Sequence, residues 1–133
     1  MSKKVILCVD DEQIILKSLR DQITRNLGNQ YFCELAESAD EALEIIEELN
    51  EDDIDILIIV SDWLMPEMKG DEFLIKVHQE FPKITKVLLT GQADEESIER
   101  TRQQANLHRY LPKPWDEATL IEVLKSGLEK VDE

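Results

Sequence analysis

Acidic side chains and one lysine stand in this sequence at points where short apolar runs end. Asp10 and Asp11 follow the first run, Asp62 follows a later one, and Lys113 follows the last. Two like unit charges about 4 Å apart repel by ~4 kcal/mol at an effective dielectric constant of ~20, so acids that share a site require a cation or a proton. Oxygen ligands without His or Cys nearby suit Mg²⁺ or Mn²⁺. We therefore predict a magnesium or manganese site.

A metal site of this kind implies a phosphoryl group, because Mg²⁺ keeps several waters and is usually held by one or two carboxylates plus phosphate oxygens. Lys113 suits such a group as a point charge, and Thr90 suits it as a hydrogen-bond donor. The glycines are too far apart for a P-loop or a dinucleotide-binding fingerprint. The remaining option is a protein carboxylate that accepts the phosphoryl group as an acyl phosphate, and Asp62 is best placed for it.

Five short apolar segments predict the strands that must position these side chains. Three are continuous runs rich in β-branched residues, which is typical of strands buried on both faces, and two are weaker. The predicted strands are 5–9, 31–36, 56–60, 87–89 and 109–111. Segments with helical spacing of apolar residues lie between and after them. The predicted helices are 13–27, 38–50, 70–81, 94–105 and 116–131.

Strands and helices alternate along the chain, which predicts an α/β fold with a doubly wound parallel sheet of five strands and five helices. Ligands of such sheets bind beyond the carboxyl ends of the strands. We expect Asp10, Asp11, Asp62, Thr90 and Lys113 to meet at that edge. For a single Asp at a strand end, a helix N-cap is the alternative interpretation. It is a weak explanation for all of these residues together.

Composition narrows the class of protein. A length of 133 residues suits one domain, and we expect no output domain in this chain. The net charge of −15 argues against nucleic acid and anionic membranes as direct partners. Two cysteines do not make a disulfide scaffold, and the apolar segment near the start is too short for a signal sequence or a membrane span. These features predict a cytoplasmic domain.

Much of the negative charge is concentrated in residues 38–53, which contain eight acids and no Lys or Arg. A charge run of this kind is usually the solvated face of a helix, and we adopt that interpretation. The alternative is a docking surface for a basic partner. Glu37, just before this segment, also follows a predicted strand, and we interpret it as a solvated loop acid and not as a metal ligand.

Four motifs, in this order and each at a predicted strand end, resemble the response-regulator receiver domain of two-component signalling. They are Val9-Asp10-Asp11-Glu12, Ser61-Asp62-Trp63-Leu64-Met65-Pro66-Glu67-Met68-Lys69-Gly70, Leu88-Leu89-Thr90-Gly91 and Tyr110-Leu111-Pro112-Lys113-Pro114. The resemblance covers residues 4 to about 130. It implies a flavodoxin-like sheet with strand order 2-1-3-4-5.

The resemblance also implies a role for each acidic residue of the predicted site. Asp62 would accept a phosphoryl group from the phosphohistidine of a sensor histidine kinase or of a histidine phosphotransfer protein. Asp11 would bind Mg²⁺ directly, and Asp10 would bind it largely through water. Asp62 and the backbone carbonyl of Leu64 would complete the protein ligands of the metal.

The remaining roles that the resemblance implies concern switching. Thr90 would hydrogen-bond to the phosphoryl oxygens, and Lys113, followed by a cis bond to Pro114, would pair with them. Tyr110 would swing inward when Thr90 moves toward the phosphoryl group. The last two helices and the fifth strand would then signal to a downstream protein or a fused output domain. Formation of a homodimer on phosphorylation stays open.

Two other functional classes compete with such a switch. A phosphatase with an Asp nucleophile would want a second acid two residues after Asp62, where this chain has Leu64. An interaction module that is never phosphorylated would be expected to lack an acid or the lysine, and none is missing. We therefore expect a phosphoacceptor with slow self-dephosphorylation and not an enzyme that acts on a separate substrate.

Overall fold

A computed structural model describes residues 3–92 and 94–131 of the protein. Its five parallel strands form one sheet, and their order, β2-β1-β3-β4-β5, confirms the predicted 2-1-3-4-5 arrangement. The strands are β1 Lys4–Val9, β2 Phe32–Ala36, β3 Asp55–Asp62, β4 Thr85–Thr90 and β5 Arg109–Pro112. Three strands, β3, β4 and β5, run further than predicted at their carboxyl ends. Asp62 pairs with Leu89, and Thr90 pairs with Pro112, so these polar residues extend the ladder.

Five helices connect and follow the strands, as predicted. They are α1 Gln13–Leu27, α2 Ala39–Glu51, α3 Gly70–Glu80, α4 Glu95–Ala105 and α5 Glu117–Val131. The side chains of Ser38 and Asp94 accept hydrogen bonds from backbone N–H groups three residues on, so both are N-caps and not helical residues. Gly28 ends α1 with a φ of 70°, and it begins a short 3₁₀ turn that the apolar pattern did not predict.

The sheet separates two apolar cores. One core packs α2, α3 and α4 against the sheet, with Phe73, Leu74 and Val77 of α3 at its centre. The other packs α1 and α5 against the opposite face. Because both faces are covered, β1 is buried from Val5 to Val9, which accounts for its continuous apolar run. In the part of the chain that the structure describes, no helix has the length and apolar character that crossing a membrane requires.

Lys86 is an exception in the first of these cores, because its side chain is fully buried. Its Nζ donates to Nδ1 of His78 at 2.7 Å and to the backbone oxygen of Pro82 at 3.3 Å. Burial lowers the pKa of Lys86 from 10.5 to about 8. A buried ammonium group without a carboxylate partner in hydrogen-bond range opposes folding near neutral pH.

We expect Lys86→Met to be more stable than the wild type at pH 7 by about 1–3 kcal/mol, since each pKa unit is worth ~1.4 kcal/mol and the lost hydrogen bonds offset part of the gain. The folded-state pKa of about 8 lies below the ordinary value of 10.5. The wild type therefore carries the full penalty below pH 8 and loses it as the pH rises toward 10.5.

Urea denaturation of both proteins across this pH range measures the effect. The stability difference should shrink as the pH rises from 8 to 10.5. Lys83→Met is the matched control, because Lys83 is exposed on the same side of the molecule, and it should show a small difference that does not vary with pH. A Lys86→Met protein that is less stable at pH 7, or a difference that pH leaves unchanged, would contradict the argument.

Candidate functional site

The predicted site residues come together at the carboxyl edge of the sheet. Asp10 follows β1, Asp62 and Thr90 end β3 and β4, and Lys113 follows β5. Backbone hydrogen bonds hold two of these positions in register with the neighbouring strand. The N–H of Asp10 donates to the oxygen of Ala36 at 3.1 Å, and the N–H of Lys113 donates to the oxygen of Thr90 at 3.0 Å. Strand pairing therefore fixes the backbone positions of Asp10 and Lys113, and these positions do not depend on a flexible loop.

Three carboxylates converge at this edge. Asp10, Asp11 and Asp62 each offer one oxygen, and these oxygens all lie within 4.8 Å of one another. Asp10 and Asp62 are buried, whereas Asp11 is exposed. The Nζ of Lys113 lies 2.8 Å from Oδ2 of Asp10 and 3.0 Å from Oδ1 of Asp62. The lysine bridges the two buried acids and leaves Asp11 on the solvent side.

Burial and mutual repulsion shift the pKa values of this cluster. Burial, together with the charges of Asp10 and Asp11, raises the pKa of Asp62 to about 6 against the opposing effect of Lys113. Burial also raises the pKa of Asp10. Burial alone would lower the pKa of Lys113, but its hydrogen bonds to the two acids outweigh that effect and raise it. One ammonium group therefore does not fully offset the cost of placing the carboxylates together.

The residues present fit a hard divalent cation. Every donor of the cluster is a carboxylate oxygen, and Asp11 gives an ion access from solvent. A second positive charge beside Lys113 would favour the ionised forms of Asp10 and Asp62, whose pKa values burial has raised. The donor set and the excess of negative charge match Mg²⁺ or Mn²⁺ and do not match a thiol- or imidazole-binding metal.

An open pocket of about 460 Å³ leads to the cluster. Three acids, Asp11, Glu12 and Asp62, line it together with Lys113. The rest of the lining comes from the loop that follows β3 and the loop that follows β4. Leu64, which is 54% exposed, and Gln92 both line the pocket. Asp62 is part of its wall, so this carboxylate is reached from solvent through the pocket.

Gly70 supports the site through a close backbone approach that sequence reasoning identified only as a helix start and part of a motif. Its N–H donates to the oxygen of Trp63 at 2.7 Å. A Cβ at this position would lie 2.0 Å from the backbone oxygen of Asp62 and 2.9 Å from Cα of Trp63. The beginning of α3 can lie this close to the end of β3 only because residue 70 has no side chain.

The two predicted switch residues differ in exposure. Thr90 is buried at the end of β4, and its Oγ1 accepts a hydrogen bond from the N–H of Gln92 at 3.2 Å. Tyr110 is 40% exposed, and the guanidinium carbon of Arg102 lies 5.7 Å from the centre of its ring. The tyrosine therefore faces outward and lies against Arg102 of α4.

An ion pair between α3 and α4 was missed at the sequence level. Arg100 contacts Oδ2 of Asp71, whose side chain is only 2% exposed. Oδ1 of Asp71 and Nε1 of Trp63 are buried and have no hydrogen-bond partner among the residues that the structure describes. In the sequence, Asp71 is simply an acid in the first turn of a helix, where the helix dipole alone would favour it, so no local signal indicates its distant partner.

Glu37 and the acidic segment of residues 38–53 were both predicted to be solvated. Glu37 is exposed, as expected, and its Oε1 accepts a hydrogen bond from Nε2 of Gln13 at 2.6 Å. Most residues of the acidic segment are exposed. Cys8 is buried and Cys33 is partly buried, and both are free thiols.

Comparisons with known proteins agree with the geometry. The response regulator receiver domain family matches residues 6–125. The hydrogenase transcriptional regulatory protein HoxA of Cupriavidus necator is 30% identical over 93% of this chain, which spans only 24% of HoxA. The chemotaxis protein CheY-3 of Vibrio cholerae is 31% identical over 95% of this chain and 92% of its own length. A CheY-like response regulator receiver domain protein from Methanospirillum hungatei superposes with a TM-score of 0.85 at 30% identity, over 98% of both chains.

Proposed function

This chain belongs to the response-regulator receiver domains of two-component signalling, and we propose that it is a switch operated by phosphorylation of Asp62. The donor would be the phosphohistidine of a sensor histidine kinase or of a histidine phosphotransfer protein. The observation that carries the proposal is the contact of Lys113 with Asp62, at 3.0 Å, in a cluster that also contains the carboxylates of Asp10 and Asp11. Asp11, Asp62 and Lys113 of this cluster line an open pocket.

The transfer itself needs little covalent machinery from the protein. An oxygen of the ionised Asp62 attacks phosphorus, the P–O bond forms, and the P–N bond to the donor imidazole breaks with its electron pair going to nitrogen. Negative charge is then spread over the phosphoryl oxygens, where the ammonium group of Lys113 can stabilise it. The pKa of about 6 leaves Asp62 mostly ionised at pH 7 and so able to attack.

Asp10, Asp11 and Asp62 would hold Mg²⁺ or Mn²⁺, with the backbone carbonyl of Leu64 as a further ligand. When bound, the ion would supply positive charge that stabilises the charge developing on the phosphoryl group. The exposed Asp11 would bind the ion directly, and the buried Asp10, which is bonded to Lys113, would bind it largely through water. The chain's own contribution is thus to bring three carboxylates and one ammonium group to a single point.

Switching would follow from the new negative charge at the pocket. Thr90 would donate its hydroxyl to a phosphoryl oxygen, and Tyr110 would leave Arg102 and turn inward. The surface formed by α4, β5 and α5 would change with them. Its partner would be a downstream protein or a fused output domain, and dimerisation through it is one further form of output. In this role the chain is a phosphoacceptor that releases phosphate slowly and not an enzyme with a separate substrate.

Incubation with acetyl phosphate, followed by intact mass spectrometry, tests this function. With Mg²⁺ present, the protein should gain the mass of one phosphoryl group, and an excess of EDTA should prevent the gain. Glu37→Gln, which changes an exposed acid near the same edge of the sheet, should behave as the wild type. Absence of an adduct with acetyl phosphate and also with phosphoramidate, in a protein shown to be folded, would reject the function.

Dephosphorylation should depend on the two side chains that flank the path of an attacking water. Leu64 is apolar and cannot orient water, so we expect Leu64→Asn to shorten the lifetime of the phosphoryl group by on the order of tenfold. Gln92 can form hydrogen bonds to water, so Gln92→Ala should lengthen the lifetime. The decay of the phosphorylated mass after removal of the donor measures both effects. Unchanged lifetimes in both variants would eliminate this explanation.

A further inference from the structure

A groove of about 470 Å³ lies at the amino ends of β3 and β4, at the opposite edge of the sheet from Asp62. The end of α2, the beginning of β3 and the segment between α3 and β4 form its walls. Nothing in the phosphorylation of Asp62 uses this region. Its lining contains apolar residues that the two cores do not fully cover.

The beginning of β3 is the most unusual part of the groove. β3 lies in the middle of the sheet, yet Ile56 and Leu57 are only partly buried, and so is Ile54 just before the strand. The ladder between β3 and β4 begins at Ile58, so the preceding residues extend beyond the end of β4. Phe81, also partly buried, lines the groove as part of the segment between α3 and β4. Apolar side chains in a concave surface of this size can receive an aliphatic or aromatic side chain from a partner.

The charges around the groove are mainly negative. Asp55 and Glu80 are exposed on its walls, where Lys83 is the basic side chain. The segment that leaves α2 beside the groove adds Glu51, Asp52 and Asp53, which are all exposed. A ligand that places an apolar side chain in the groove therefore meets carboxylates around it, and positive charge on the ligand would complement them.

We propose that this groove docks a basic amphipathic segment of another protein, one that inserts an aliphatic or aromatic side chain between Ile54 and Phe81 while Lys or Arg side chains face the surrounding carboxylates. A second copy of this chain is a poorer occupant, because its net charge of −15 would repel the first. The groove and the pocket of Asp62 lie at opposite edges of the sheet, so the docking site does not depend on phosphorylation.

Titration of the ¹⁵N-labelled protein with a defined peptide tests the proposal. The probe is a short peptide with Leu and Lys in amphipathic helical spacing, and its control has Glu in place of every Lys. The Lys peptide should shift the amide signals of residues 54–57, 80–81 and 83–84 in a saturable way, and the Glu peptide should not. Shifts that spread evenly over the exposed acids of α2, or that centre on Asp62, would overturn the proposal.

Two charge-reversal variants distinguish binding in the groove from general electrostatic attraction of a basic peptide to this acidic protein. Glu80→Lys changes the wall of the groove and should weaken binding of the Lys peptide at least tenfold. Glu44→Lys makes the same change of charge on an exposed position of α2 that does not line the groove, and it should have little effect. Equal weakening by both variants, or groove signals that shift with protein concentration alone and so indicate self-association, would reject the proposal. Phosphorylation by acetyl phosphate should be normal in Glu80→Lys, which keeps this test separate from that of the switch.

Discussion

Replacing Lys113 with Met should slow phosphorylation of the protein by acetyl phosphate on the order of 10²–10³-fold, the loss that follows removal of one group aimed at developing charge. The variant keeps the length of the side chain but removes the ammonium group that contacts Asp10 at 2.8 Å and Asp62 at 3.0 Å. Without that group, charge on the transferred phosphoryl has one fewer stabilising partner. The repulsion among the acids also increases, so the pKa of Asp62 should rise further.

The rate of gain of phosphoryl mass, measured from pH 5 to pH 9 at saturating Mg²⁺, distinguishes these two effects. A lost charge contact lowers the rate at every pH, whereas a raised pKa moves the lower limb of the profile to higher pH. Lys17→Met is the matched control, because Lys17 is exposed on α1, and it should leave the rate unchanged. A Lys113→Met protein that is folded and phosphorylated at the wild-type rate would show that the contact has no part in transfer.

Gly70→Ala should destabilise the protein by about 3 kcal/mol or more, because overpacking against fixed backbone requires the two elements to separate. The added Cβ would lie 2.0 Å from the backbone oxygen of Asp62. That oxygen belongs to the backbone, and the Cβ is attached directly to Cα, so no flexible side chain can move to relieve the clash. Relief of the clash would displace the end of β3 or the beginning of α3. Either movement shifts Asp62 relative to Lys113, so the rate of phosphorylation should fall as well.

Gly91→Ala provides the comparison, since a Cβ there would make an ordinary contact of 3.8 Å with Cβ of Lys113. Its stability in urea should lie within about 0.5 kcal/mol of the wild type, as for most surface substitutions. Gly70→Ala with the stability of Gly91→Ala would mean that α3 can move away from β3 without cost. The close approach would then have no role in positioning Asp62.

The sequence was sufficient to predict the sheet, because the strand signals are short apolar runs and the helix signals are apolar stripes, both local in the chain. It also placed Asp10, Asp62 and Lys113 at one edge, since parallel strands end on the same side. The exact ends of β3 and β4 were less predictable. Asp62 and Thr90 are polar, so the apolar runs stop before them, although the backbone ladder continues through both residues.

Features that depend on contacts between distant segments could not be predicted in this way. The pairing of Asp71 with Arg100 joins two helices separated by a strand, and neither residue has a neighbour in sequence that indicates the other. The burial of Lys86 is similar, because a lysine near the start of a strand is ordinarily exposed. The clash that a Cβ would make at Gly70 depends on the distance between two elements, which no periodicity encodes.

Tandem mass spectrometry of the protein phosphorylated by acetyl phosphate identifies the residue that carries the phosphoryl group, and we propose that this residue is Asp62. Fragment masses should place the group on Asp62 within the peptide that spans β3 and the following loop. Asp62→Asn should carry no adduct, and mild base should remove the group from the wild type, as expected for an acyl phosphate. A phosphoryl group found on Asp10 or Asp11, or an adduct that persists in folded Asp62→Asn, would contradict the account.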